Sequence, residues 1–181
     1  MTEIQSSNPL IMVAAGGTGG HLFPAEALSA ALSKRGIATA LATDNRAAKY
    51  ADYFSSMHVV PSATFRGRDP ISIARTGVTL VMGLAKAAMM MRSVKPSAVV
   101  GFGGYPSVPP VLAASLLKIP TVLHEQNAVM GRANRFLASR VTAIATGFAG
   151  VTDKDKALAI KTTCIGNPLR PAVIEAAKIP Y

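Results

Sequence analysis

Three short polar stretches hold the residues able to do chemistry: GGTGGH at 16–21, GGYPS at 103–107 and HEQN at 124–127. Glycine permits sharp turns and leaves backbone amides open to a ligand, and amides at a helix start attract negative charge. Gly16, Gly17, Thr18, Gly19 and Gly20, together with Gly103 and Gly104, therefore predict a phosphate or diphosphate ligand, with the Thr18 hydroxyl as a further donor. His21 follows at the helix start, where an imidazole serves as a general base near neutral pH; the competing reading makes it a turn residue bonded to backbone. Glu125 and Asn127 lie two apart at a strand end and share a side if the extended geometry persists. Asn127 then suits sugar hydroxyls and Glu125 is a second candidate base. His124 alternates away from Glu125 and reads as structural. Tyr105 stacks on a sugar, contacts a phosphate or merely packs, and Ser107 completes the same polar turn.

Positioning these groups on one rim requires a particular scaffold. LIMVAA at 10–15 is a continuous apolar run, followed by the glycines and a helical pattern from Leu22 to Lys34 that closes at Gly36. The rhythm repeats: strand IATALAT, helix NRAAKYADYF, a short strand HVVPS, and a long helix from Ile71 to Val94. SAVVGF, an apolar helix to Lys118, TVLHE, a helix over 133–139, VTAIAT and TTCIG complete it. Strands that are apolar along their length and alternate with helices form parallel sheets buried on both faces. Right-handed crossovers make this an α/β, Rossmann-like, doubly wound parallel sheet. In such sheets the first strand lies beside the fourth, and ligands sit beyond the carboxyl ends where the strand order reverses. The first, fourth and fifth strands end in the three polar stretches, so all three converge on one crevice.

Composition narrows the ligand class. The 181 residues suffice for one substantial domain, and 19 Lys and Arg against 9 Asp and Glu give a net charge of +10, which favours anionic partners. The basic residues are scattered and no aromatic RNA-binding signature accompanies them, so nucleic acid is not expected. A single cysteine, Cys164, makes no internal disulfide, and the first ten residues lack the features of a secretory signal. Neither His58 nor Cys164 has metal-ligand spacing, and no metal or cofactor is expected. A triphosphate P-loop needs Lys and then Ser or Thr where His21 and Leu22 stand. A dinucleotide fingerprint fits better through Gly17, Gly19 and Asp44, with Arg46 for an extra phosphate, but Leu22 replaces its third glycine. An NAD(P)-binding oxidoreductase domain is therefore an alternative, as is a noncatalytic partner of a separate catalytic chain.

The stretches AAGGTGGHLFPAEALSAAL, GFGGYPSVPPVLAA, IPTVLHEQNAVMGRANRFLA and GNPLRP closely resemble, in order and spacing, the amino-terminal half of the MurG family. These are bacterial undecaprenyl-diphospho-muramoylpentapeptide N-acetylglucosaminyltransferases of peptidoglycan synthesis. The resemblance implies half of a GT-B fold, with 1–165 as an acceptor-binding domain and 166–181 as the start of a linker to a donor-binding domain. It implies inverting, metal-independent transfer of GlcNAc from UDP-GlcNAc to the 4-hydroxyl of lipid I, giving lipid II, at the cytoplasmic face of the plasma membrane. Arg170, in GNPLR, resembles a family position near the donor phosphates.

A lipid-linked acceptor demands a membrane surface. The apolar run after Arg75 is interrupted by Lys86 and falls short of the roughly 20 residues needed to span a bilayer. At 100° per residue, however, Arg75, Thr79, Lys86 and Ser93 share a stripe with Met82, Met89 and Met90 beside it. The segment 65–95, from Phe65 to Lys95, has Arg66, Arg68, Arg75, Lys86, Arg92 and Lys95 against Asp69 alone. Such a face suits an anionic headgroup boundary. The plainer expectation buries these methionines in an ordinary core helix.

Overall fold

A computed structural model describes residues 9–16, 18–62 and 70–179. Its strands are β1 (Leu10–Ala14), β2 (Ala38–Thr43), β3 (Ser56–Val59), β4 (Ala98–Gly101), β5 (Thr121–Glu125), β6 (Ala143–Thr146) and β7 (Thr162–Cys164). Its helices are α1 (Gly19–Ser33), α2 (Pro70–Val94), α3 (Val108–Leu116), α4 (Arg132–Leu137), α5 (Lys156–Ala159) and α6 (Pro171–Ala176). All seven strands form one parallel sheet in the order β3-β2-β1-β4-β5-β6-β7, so the order reverses between β1 and β4. The doubly wound expectation holds.

Alternation along β1 divides the core. Met12 and Ala14 face one side with Val99, Leu123, Met91 of α2 and Val111 of α3. Val13 and Ala15 face the other with Leu22 and Ala25 of α1, Leu41 and Phe102. Both sets are buried, which is why the strand reads as an unbroken apolar run.

Several boundaries differ from the sequence reading for local reasons. Helix α1 begins at Gly19, three residues before Leu22, because glycines contribute no apolar periodicity. The stretch Asn45–Tyr53 winds as a 3-10 helix. The helix before Lys118 stops at Leu116, and Lys118 turns the chain with φ of 59°. Gly83 lets α2 approach the Pro61 carbonyl, a position no Cβ could occupy.

Helix α2 corrects an expectation. Arg75–Val94 is 20 residues long and, by length and composition, apolar enough to cross a membrane, despite Lys86. Only 17% of its most apolar window is buried. Ala87 and Met91 enter the core, whereas Val78, Val81, Met82 and Met89 are 60–68% exposed, so Met82 and Met89 are not core residues. Arg75, Lys86 and Ser93 are exposed with them. Gly17, residues 65–69 and the side chains of 70–74 lie outside what the structure describes.

Candidate functional site

The reversal between β1 and β4 is built glycine against glycine. The Gly16 amide donates to the Gly103 carbonyl at 2.9 Å, joining the ends of the two strands. Gly103 and Gly104 have φ of 90° and 76°, a region that favours glycine. A Cβ on Gly104 would stand 2.9 Å from the Gly16 Cα, and one on Gly103 would stand 3.1 Å from the His21 ring. These glycines make room for one another and for the imidazole. The Gly16 amide is consequently not an open anion donor, which corrects that part of the sequence reading.

Ser107 requires a similar correction. It is fully buried, and its Oγ donates to the Gly104 carbonyl at 2.8 Å, so it braces the turn instead of facing a ligand. Thr18, Gly19 and Gly20 remain at the open start of α1, where first-turn amides have no intrahelical acceptors.

His21 sits one turn into α1, with Nδ1 2.8 Å from Thr18 Oγ1. Its ring lines a cavity of about 320 Å³ together with Gly103, Gly104, Tyr105, Glu125, Asn127 and Asn134, among others. Burial lowers the imidazole pKa below its ordinary value, opposed in part by the negative charge of Glu125. The neutral, proton-accepting form is thereby favoured.

Glu125 terminates β5 and is 1% exposed. One carboxylate oxygen accepts from the Asn127 amide and side chain, both at 3.0 Å. The other accepts from the Gly131 amide and from Asn134 Nδ2, both at 2.9 Å. Four donors from the loop and from α4 thus converge on one side chain. This arrangement organises the 126–131 loop, and it leaves Asn127 exposed at the cavity with its amide group oriented.

Asn134 was not legible as a site residue, since nothing in its spacing links it to Glu125. Its Nδ2 also donates to the His124 carbonyl at 3.2 Å, while its Oδ1 is buried with no protein partner. Arg132 lines the same cavity and was likewise missed. His124 points away: Nε2 donates to the Gly166 carbonyl at 3.0 Å, and Gln126 donates to Nδ1 at 3.1 Å. It is 2% exposed and packs 5.5 Å from the Phe102 ring. Burial lowers its pKa, opposed by the bond to Gly166 and by Glu125. Asn167 adds a bond to the Gln126 carbonyl at 3.1 Å, holding 166–167 against the end of β5.

Arg170 is not among the residues that line the cavity. Its guanidinium stacks 3.9 Å over Phe23 and lies 3.8 Å from Glu26, both on α1. Burial raises the Glu26 pKa, and Arg170 partly opposes the shift. Asp44 is paired with Arg46 at 2.6 Å. Among the described residues, no group of three or more His, Cys, Asp or Glu could hold a metal ion.

A parallel sheet with polar loops gathered at its carboxyl edge, beside the strand-order reversal, defines a Rossmann-like domain of the GT-B glycosyltransferase class. Residues 11–146 match the glycosyltransferase family 28 N-terminal domain, and the chain belongs to that family. It is 59% identical over 175 residues to the UDP-N-acetylglucosamine--N-acetylmuramyl-(pentapeptide) pyrophosphoryl-undecaprenol N-acetylglucosamine transferase of Rhodopseudomonas palustris strain BisA53. That alignment covers 96% of this chain and 47% of the relative. The identically named protein of Bradyrhizobium sp. strain ORS 278 is 57% identical over 178 residues, covering 97% and 48%. The chain therefore spans about half the length of the curated relatives it matches. Acinetobacter baumannii MurG superposes with a TM-score of 0.72 at 25% identity, covering 96% of this chain and 50% of that one. UDP-N-acetylglucosamine 2-epimerase from Rickettsia bellii shares the fold alone, with a TM-score of 0.61 at 16% identity, covering 93% and 47%. None of these matches supports the dinucleotide oxidoreductase alternative.

Proposed function

We propose that this chain supplies the acceptor-binding half of a GlcNAc transferase of peptidoglycan synthesis, with UDP-GlcNAc as donor and lipid I as acceptor. The observation that carries the reading is a half-buried His21, its pKa lowered by burial, in a cavity whose other walls include Glu125, Asn127 and Asn134. The names of relatives at 57–59% identity supply the substrates.

In this mechanism the acceptor 4-hydroxyl oxygen attacks the anomeric carbon of GlcNAc while His21 takes its proton. The new C–O bond forms as the bond from the anomeric carbon to the UDP oxygen breaks, and the electron pair leaves with UDP. When Nδ1–H donates to Thr18 Oγ1, the other ring nitrogen, Nε2, carries the lone pair that accepts the proton. The helix start at Thr18, Gly19 and Gly20 faces the acceptor diphosphate, whose charge stabilises the imidazolium formed. Glu125, with both oxygens engaged, holds Asn127 and Asn134 in place, and their amides meet sugar hydroxyls. Tyr105 stacks on a sugar ring at the cavity wall. Arg170 fastens the start of the 166–181 linker to α1 through Phe23 and Glu26.

The exposed face of α2 rests on the cytoplasmic leaflet, with Val78, Val81, Met82 and Met89 at the acyl boundary and Arg75 and Lys86 among the headgroups. The test is turnover of UDP-GlcNAc with a lipid I analogue by the full-length protein. Lipid II formation that is lost in His21→Ala supports the reading; no product from the unaltered protein refutes it.

A further inference from the structure

We propose that a second cavity, beyond the carboxyl ends of β5 and β6, receives the pentapeptide of the acceptor as an extended chain whose terminal carboxylate lies between Arg135 and Lys154. The proposal rests on the acceptor reading above and extends the site from the reacting sugar to the peptide beside it. The cavity measures about 430 Å³ and is lined by Ala128, Val129, Met130, Arg135, Lys154 and Leu158, among others. That volume falls within the range of small-ligand sites.

The two cavities are neighbours on one loop. Asn127, Gly131 and Arg132 line the cavity of His21, and Ala128, Val129 and Met130, which lie between them in the chain, line the second. Arg132 and Arg135 mark the same division on α4, about 4.5 Å apart along the helix axis. A muramoyl sugar carries its peptide on the lactyl ether of the carbon next to the one whose hydroxyl reacts. The pentapeptide named in the relatives therefore starts in the first cavity, and five extended residues reach about 17 Å, enough to cross into the second.

Loop chemistry selects an extended peptide. Glu125 anchors the loop at Asn127 and Gly131, and Arg135 donates to the Met130 carbonyl at 3.1 Å. Between these anchors, the amides and carbonyls of the exposed residues Ala128 and Val129 have no hydrogen-bond partner among the described residues. A segment already fixed, with bare backbone, pairs with an extended chain at little further ordering cost. Met130, Val151 and Leu158 give the cavity an apolar floor for side chains. Arg135 keeps further N–H donors, and the exposed Lys154 has no acidic partner among the described residues. Asp155 also lines the cavity, but its Oδ1 accepts from the Ala157 and Leu158 amides at the start of α5. Two cations with donors to spare suit the peptide's terminal carboxylate.

Steady-state kinetics of the full-length protein with two lipid-linked acceptors, one bearing the pentapeptide and one cut back to its first residue as the carboxamide, tests the proposal. The unaltered protein is expected to have a KM for the pentapeptide acceptor about tenfold below that for the shortened one. Lys154→Glu reverses a charge on an exposed loop and is expected to shrink that ratio to about twofold. Taking the ratio cancels any general effect of charge on attraction to the anionic acceptor. Arg135→Gln should shrink it as well, although Arg135 also holds the Met130 carbonyl, so Lys154→Glu is the decisive variant. A ratio near one in the unaltered protein would overturn the peptide site while leaving the transfer reading and His21 intact. An undiminished ratio in both variants would overturn the placement at Arg135 and Lys154. Product from neither acceptor would overturn the transfer reading beneath the proposal.

Discussion

His21 Nδ1 lies 2.8 Å from Thr18 Oγ1, across the first turn of α1. The contact engages Nδ1 beside the Gly103–Gly104 turn, so that with the proton on Nδ1 it is Nε2 that is free to take another. Thr18→Val is therefore expected to lower kcat about tenfold, Thr18→Ser to restore it, and His21→Ala to lower it about 10²–10⁴-fold. Donor binding should change little in all three. Steady-state kinetics of the full-length protein would check this, and an unchanged kcat in His21→Ala would remove the base assignment.

Burial lowers the His21 pKa, so kcat/KM should rise with pH through a value below the ordinary histidine pKa of about 6.5 and then level off. An acid limb centred above 6.5 would contradict the cause assigned here. Stability has the same sign. His21 and His124 both have lowered folded-state values, so the unfolded chain binds more protons once pH falls below about 6.5. Urea midpoints should fall from pH 7.5 to pH 5.5, and His124→Gln should reduce that slope.

Gly104 and Gly20 should respond in opposite directions to the same change. Gly104→Ala places a Cβ against the Gly16 backbone at a φ of 76°, at a cost of about 1–3 kcal/mol. Gly20→Ala meets nothing within 4 Å and replaces a helical glycine, a gain of up to about 1 kcal/mol. If a diphosphate rests on the α1 start, Gly20→Ala will nevertheless raise the acceptor KM. Thermal unfolding and kinetics together separate the two effects.

Glu125→Gln would turn one of the carboxylate's acceptor oxygens into an NH2 group facing N–H donors. With the residue 1% exposed, the expected loss is about 1–3 kcal/mol, accompanied by disorder of the 126–131 loop. Amide exchange at Asn127 and Gly131 would report it. Unchanged protection there would show that Glu125 does not organise the loop.

Met82→Asp with Met89→Asp should leave the fold intact, because both side chains are exposed, while reducing vesicle binding by at least about tenfold. Retained binding would move the membrane contact away from α2.

The scaffold was legible because its signals are local. Apolar runs and helical periods announce strands and helices, and parallel crossover rules then place β1 beside β4, so the convergence of the Gly16, Gly103 and Glu125 regions followed without coordinates. Roles within that rim were harder to read. Ser107 and the Gly16 amide looked open but are bonded to Gly104 and Gly103, partners that only the folded turn supplies. Asn134, nine residues beyond Glu125, meets its carboxylate through the way the loop returns α4 to β5.

By itself the amino-acid sequence determined the doubly wound sheet, the order of its strands and helices and which rim carries polar chemistry, since these depend on neighbour-scale steric and burial preferences. Tertiary structure decided the direction each side chain faces and what it bonds: Glu125 saturated, His21 half-buried with its pKa lowered, and Met82 and Met89 turned outward on α2. Those outcomes depend on distant segments competing for the same surface and the same hydrogen bonds, and no local pattern encodes that competition.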